Sequence, residues 1–134
     1  MKKIILVAIT TVILFSFNSC SKYEDGPALS LRTKKARLSQ TWKLDEIDRE
    51  KVVDVSELSF EKNGDVYLFK QYEGTEGTIT QEIYGEWEWE DDKEKIEIKW
   101  DNITGIDEYK ILRLTKDEFW CEVNHTTELR FDRK

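Results

Sequence analysis

Trp87, Trp89 and Trp100, with Tyr84 nearby, are the side chains whose types and spacing most suggest chemistry. Trp87 and Trp89 are two residues apart, so a strand sets both on one face. Aromatics on one sheet face can stack on sugar rings or line a lipid pocket, and the plainer reading of such a pair is a buried core. Glu86, Glu88 and Glu90 alternate with them. Paired carboxylates can hydrolyse glycosides when held at fixed spacing. On one strand, however, alternate carboxylates stand about 7 Å apart on a solvated face. A charged outer ladder that discourages edge pairing is the better reading. His125 is the only histidine, so neither a histidine metal cluster nor a histidine-based dyad can be built from histidines alone. Asp91, Asp92 and Asp101 lie in turns that lack the spaced loop of a calcium site. There is no Gly-rich phosphate loop and no cysteine pair with zinc spacing. The sequence therefore assigns no catalytic residue, no metal and no cofactor.

The two cysteines have different expected fates. Cys121 sits in an alternating stretch and reads as a small buried apolar side chain. Cys20 follows Lys2-Lys3, a 14-residue apolar run over 4–17, and the small pair Asn18-Ser19. A spanning helix needs about 20 apolar residues, so this run has the length of an export signal's core. The arrangement resembles a bacterial lipoprotein signal, with Phe17 where leucine is usual. That resemblance implies cleavage before Cys20, lipidation of Cys20, and a membrane partner held through the lipid. Two or more acyl chains make such an anchor lasting. Ser21 after the cysteine is similar to the pattern sent to the outer membrane of Gram-negative bacteria. Glu24-Asp25 is similar to a short surface-export tag, which leaves the periplasmic and cell-surface faces both open.

Removing the first 19 of 134 residues leaves 115, the size of one domain. A chain of that length buries roughly 65% of its unfolded surface, enough for one core without disulfides. Residues 1–19 carry two lysines and no acids, so the remainder has 19 basic and 28 acidic residues, a formal charge of −9. Such a surface repels phosphate backbones, which argues against a nucleic-acid partner. The expected organisation is a signal over 1–19, a polar tether over 20–27 and one domain over 28–134.

The elements that must position these side chains are mostly strands. Asp25-Gly26-Pro27 is turn chemistry, and 28–39 can form one short helix with Ala28, Leu31, Lys35 and Leu38 on a stripe. Beyond it, apolar and polar residues alternate at period two. Asn63-Gly64 marks a tight hairpin whose two turn positions need positive φ. Residues 66–72 are apolar on both faces, 73–77 form a flexible loop, and 78–90 form a strand broken at Gly85. Further strands follow around Ile96, Tyr109, Phe119 and Leu129, separated by turns at 91–93, 101–105, 116–117 and 124–125. About eight strands on short connections pair antiparallel in sequence order. Closure removes the two open edges of such a meander. The expected fold is an all-β, up-and-down antiparallel barrel with one short N-terminal helix across an end. A two-sheet sandwich is the alternative. The inward set comprises Trp42, Leu44, Leu58, Phe60, Trp87, Trp89, Ile96, Ile98, Trp100, Phe119, Val123, Leu129 and Phe131.

Leu38-Ser39-Gln40-Thr41-Trp42-Lys43-Leu44 places a short helix before a tryptophan that starts the first strand. With the later segments Leu58-Ser59-Phe60-Glu61-Lys62-Asn63-Gly64-Asp65, Tyr84-Gly85-Glu86-Trp87-Glu88-Trp89 and Ile111-Leu112-Arg113-Leu114-Thr115, it resembles the lipocalin-like domains of small bacterial envelope lipoproteins. Gln40 stands where lipocalins usually carry glycine. The resemblance implies a cavity for a small apolar ligand, and a basic side chain, Arg113 or Arg130, packed over Trp42. Trp42, Phe60, Trp87, Trp89, Trp100, Phe119 and Phe131 would line that cavity or fill a solid core. An eight-stranded barrel is just wide enough for either. A solid barrel would instead dock another envelope protein, through Val66-Tyr67-Leu68-Phe69 or Ile111-Leu112-Arg113-Leu114, or bind surface glycan through Trp87, Trp89 and Trp100.

Overall fold

Residues 32–134 are described by a computed structural model. The signal, Cys20 and the tether lie outside the described residues. Thr33 caps the helix α1 (Lys34–Leu38): its backbone is extended, and its Oγ1 accepts from the Ala36 amide at 3.1 Å. That cap satisfies an amide the first turn leaves orphaned. The described helix thus starts at Lys34, and Ala28 and Leu31 of the expected stripe lie outside the described residues. Leu38 is wholly buried and Lys35 is exposed.

The strands are β1 (Thr41–Ile47), β2 (Glu50–Lys51), β3 (Val55–Phe60), β4 (Asp65–Gly74), β5 (Gly77–Glu90), β6 (Lys95–Trp100), β7 (Asp107–Leu114), β8 (Glu118–Val123) and β9 (Thr127–Arg133). They run β2-β1-β3-β4-β5-β6-β7-β8-β9, and β1 also pairs with β9, so eight strands close into an antiparallel barrel. Closure decides against the sandwich. The ninth strand, β2, folds back on the end of β1 through Asp48 (φ 49°) and Arg49 (φ 68°). No glycine marks that turn, which hides it from a sequence reading. Register shifts between Leu44 and Glu46 and between Ile111 and Arg113 add local twist to the strands.

Several local expectations change. The hairpin at Asn63-Gly64 is present, but only Gly64 has a positive φ, 103°. Asn63 instead accepts from the Asp65 amide through Oδ1 at 3.0 Å, making a side-chain turn. Residues 73–77 are not a flexible loop: β4 runs to Gly74, β5 starts at Gly77, and the two pair there. β5 is continuous through Gly85. That glycine is needed because a Cβ would lie 2.5 Å from the Lys99 carbonyl and 3.0 Å from Trp100 Cα.

Antiparallel alternation puts α1 at the barrel end shared by the 61–64, 91–94 and 115–117 turns. Gln40 ties it there, its Nε2 donating to the Arg37 and Lys116 carbonyls at 2.9 and 3.1 Å. The opposite end, the mouth, carries the 48–49, 75–76, 101–106 and 124–126 connections. The core cluster contains Trp42, Leu44, Leu58, Phe60, Trp87, Ile96, Ile98, Trp100, Phe119 and Phe131, with Trp89, Val123 and Leu129 half-buried against it. Every member of the inward set is thus in the core or against it. Leu38, Val66, Tyr109, Ile111, Leu114 and Cys121 join it.

Candidate functional site

Six of the seven singled-out aromatics pack ring against ring, and Trp100 is buried in the same core. Phe119 lies 5.6 Å from Trp42, 5.9 Å from Phe60 and 5.5 Å from Phe131, ring centre to ring centre. Phe60 meets Trp87 edge-on at 5.6 Å, and Trp87 meets Trp89 edge-on at 5.3 Å. Three indole N–H groups are spent on the barrel itself. Trp42 donates to the Leu38 carbonyl at 3.0 Å, Trp87 to the Glu61 carbonyl at 2.9 Å and Trp100 to the Asp107 carboxylate at 2.8 Å. Each bond pins a wall strand to a turn, a helix end or the next strand. Trp87 and Trp100 are both 6% exposed, so their faces are covered and do not offer a sugar-stacking platform. Trp42, Trp87 and Trp100 are core struts, and Trp89 is half-buried against the core, which counts against a glycan surface built from Trp87, Trp89 and Trp100.

Arg113 and Arg130 do not pack over Trp42, which lies inside. Both cover Trp120 on the outer face of β8, with guanidinium carbons 5.2 and 4.1 Å from its ring centre. Cross-strand register explains this: Trp120 is opposite Arg113 on one side and Arg130 on the other. Glu118 and Glu128 each bind the neighbouring guanidinium at 2.8 Å. The bulge in β7 buries Ile111, Leu112 and Leu114, with α1 packed on that strand. The 111–114 segment is therefore not a docking surface.

The outer acids form a row across three strands, Glu88 opposite Glu97 and Glu97 opposite Glu108. A hydrogen bond that protonated Glu97 donates to the Glu90 carboxylate, then desolvation and the surrounding carboxylates, raise the Glu97 carboxyl above its ordinary range. Glu97 thus holds a proton more tightly folded than unfolded. Its contribution to stability is favourable at low pH and is lost as pH rises through its folded value. Glu97→Lys will therefore raise the denaturation midpoint at pH 7, because opposite charges replace like charges across the strands. The gain will fade once the neighbouring acids protonate, and urea melts at pH 7 and pH 4 check it. His125 in the 124–126 turn places Nε2 3.0 Å from Glu108. Among the described residues, no group of three or more acids, histidines or cysteines could hold a metal ion. Burial pushes the Cys121 thiol well up, and it is wholly enclosed. Ellman's reagent will therefore leave Cys121 unmodified in the native protein and label it only after unfolding.

Exposed large apolar side chains gather elsewhere. Of the eight among the described residues, Tyr67, Tyr72, Ile79 and Tyr84 belong to the β4–β5 hairpin, which makes that hairpin the candidate site. Tyr67 and Tyr84 are cross-strand neighbours on its outer face, with ring centres 6.2 Å apart. Phe69 and Glu82 form the next outer pair. With Glu57, Ser59 and Lys134 they line an outer cleft of about 430 Å³. The Tyr84 hydroxyl donates to Glu82 at 2.9 Å, and this bond raises the phenol above its ordinary range. On the opposite face Tyr72 pairs with Ile79 beyond the end of β3. Val66 and Leu68 point inward from the same strand. The doubly apolar 66–69 segment thus divides into a core face and an outer face. The signal for this site was present in Tyr67-x-Phe69, but no sequence rule says which side of a doubly apolar strand faces water.

Comparison of the chain with protein-family models finds no match, and comparison with curated proteins finds none either.

Proposed function

We propose that this chain is a non-enzymatic, lipid-anchored lipoprotein of the Gram-negative outer membrane, and that its barrel is a docking module working through the β4–β5 hairpin. The observation that carries the docking reading is a core of mutually packed rings beside an exposed hairpin. Six of the seven singled-out aromatics pack on one another, whereas the hairpin keeps Tyr67, Tyr72, Ile79 and Tyr84 in solvent. Concentrated exposed apolar surface is the usual mark of an interaction site. The resemblance around Cys20 supports the anchor. Cys20→Ser will move the protein from the membrane fraction to the soluble periplasmic or external fraction, and unchanged fractionation discards the anchor. A photo-crosslinking side chain at Tyr72 or Tyr84 will give a discrete adduct in host cells, and the same group at His125 will give none. Equal labelling from all three positions refutes docking at the hairpin.

A second reading keeps a small apolar ligand, seated at the mouth. Its support is that Val52, Leu68, Ile83, Val123 and Leu129 are only half-buried against the core. Native mass spectrometry of protein from its host will then show a co-purifying small molecule, and an unliganded mass alone counts against it.

A further inference from the structure

β5 is 14 residues long, but β6 pairs only with its second part, from Gly85 to Glu90. At Trp100 the neighbouring chain turns away: the Asp101 amide donates to the Tyr84 carbonyl at 2.8 Å, and Asn102 then takes a φ of 61°. Over 77–83, β5 pairs with β4 on one side, and among the described strands none pairs with the other. Residues 77–82 are all exposed. In an antiparallel ladder alternate residues turn N–H and C=O toward each side, so this edge holds three or four unpaired backbone sites. Proteins normally guard such an edge with lysine, proline or a bulge. Gly77-Thr78-Ile79-Thr80-Gln81 has no charge and no proline in a chain that is 37% charged.

We propose that the free edge of β5 over 77–83 takes up an extended strand from a partner polypeptide in which apolar and basic residues alternate. This deepens the docking reading and rests on it. Main-chain hydrogen bonds would give affinity and alternate side chains specificity. The two faces of the hairpin set the alternation. On the inner face an added strand meets Ile79, Gln81 and Ile83, beside Tyr72, Lys70 and Leu68. On the outer face it meets Thr78, Thr80, Glu82 and Tyr84. The hairpin's charges are unbalanced: Asp65, Glu73, Glu76, Glu82, Glu86, Glu88 and Glu90 against the single cation Lys70. Asp101 adds another acid at the foot of the edge, within the small cleft that Tyr84 also lines. The outward side chains of the partner strand are therefore basic. A second copy of this chain carries the same acidic hairpin, which sets charge against self-pairing.

The test uses the full chain purified in detergent from its host, and a synthetic heptapeptide of alternating valine and lysine. Hydrogen exchange read by mass spectrometry will slow at 77–84 on adding the peptide. A version carrying backbone N-methyl groups on its lysines, the residues that turn N–H toward β5 when the strand adds antiparallel, will bind at least roughly tenfold more weakly, since losing two backbone hydrogen bonds costs about that much. Thr80→Lys will weaken the lysine peptide and favour a valine–glutamate one, and near-UV circular dichroism checks that this variant is folded. Thr80→Pro removes a backbone donor and will abolish protection. Equal binding of the N-methylated peptide, protection only outside 77–84, or no protection at millimolar peptide overturns the proposal. Dimers in sedimentation with the same amides protected, without peptide, give the edge to a second copy and also overturn it. Crosslinking from Tyr84 that survives Thr80→Pro leaves hairpin docking standing and removes strand addition alone. Loss of the hairpin-specific crosslink in the unmutated protein removes both.

Discussion

Replacing Phe119 with Ala will destabilise the barrel by about 3–5 kcal/mol, the largest stability effect of any single truncation proposed for this protein. Phe119 is fully enclosed and touches three other rings, Trp42, Phe60 and Phe131, which come from three different strands. Truncation removes the apolar area of the ring and also leaves a void that β-barrel walls, fixed by ladders on both sides, close only in part. Against a total stability of about 5–15 kcal/mol, such a loss is a large fraction. Phe119→Leu will cost well under half as much, because it keeps most of the volume. Urea melts followed by tryptophan fluorescence read both, with unchanged slope confirming two-state unfolding. The measurement also bears on function. A loss under about 1.5 kcal/mol would be the mark of a loosely filled interior, and would favour the mouth-ligand reading over the solid scaffold.

Gly85→Ala carries the second large effect, and its sign decides the matter. A glycine inside a strand ordinarily costs roughly 0.5–1 kcal/mol, so replacing it with alanine should stabilise by limiting the unfolded chain. Here the new Cβ would meet the backbone of β6, at 2.5 Å from the Lys99 carbonyl and 3.0 Å from Trp100 Cα. Backbone in a ladder cannot swing aside as a flexible side chain can. The two strands must part at the level where Gly85 pairs with Val66 on one side and Trp100 on the other. Overpacking of that kind costs about 1–3 kcal/mol. The expected net result is destabilisation, read as a lowered urea midpoint. It should come with faster amide exchange at residues 98–101, since the Asp101-to-Tyr84 hydrogen bond closes that corner. A midpoint at or above the wild type would mean that the β5–β6 approach is looser than described.

The strands were legible because period-two alternation is a local property. Trp42 and Leu44, Leu58 and Phe60, Ile96 and Ile98 each announce a buried face without reference to anything distant. The up-and-down order followed from short connections, and barrel closure from the cost of open edges. What failed at this level failed for local reasons. The hairpin at Asp48-Arg49 has no glycine, and the Asn63 side chain substitutes for a second positive φ. The 73–77 stretch has loop composition, but the pairing of its flanking strands draws it into a tight turn.

The candidate site was less legible, because its features are relations between strands. Arg113 and Arg130 come to Trp120, and not to Trp42, through register, which no single strand encodes. Whether Tyr67 or Val66 faces the core depends on which neighbours β4 acquires. Whether β5 has a free edge depends on where β6 ends. By itself the sequence determined the strand content, the inward side of most strands and the acidic charge balance. Only the tertiary structure decided that most of the singled-out aromatics are spent on one another and that the β4–β5 hairpin keeps Tyr67, Tyr72, Tyr84 and an unguarded backbone edge in water. Burial and edge exposure are properties of pairs of strands, and pairing is settled by the closed sheet as a whole.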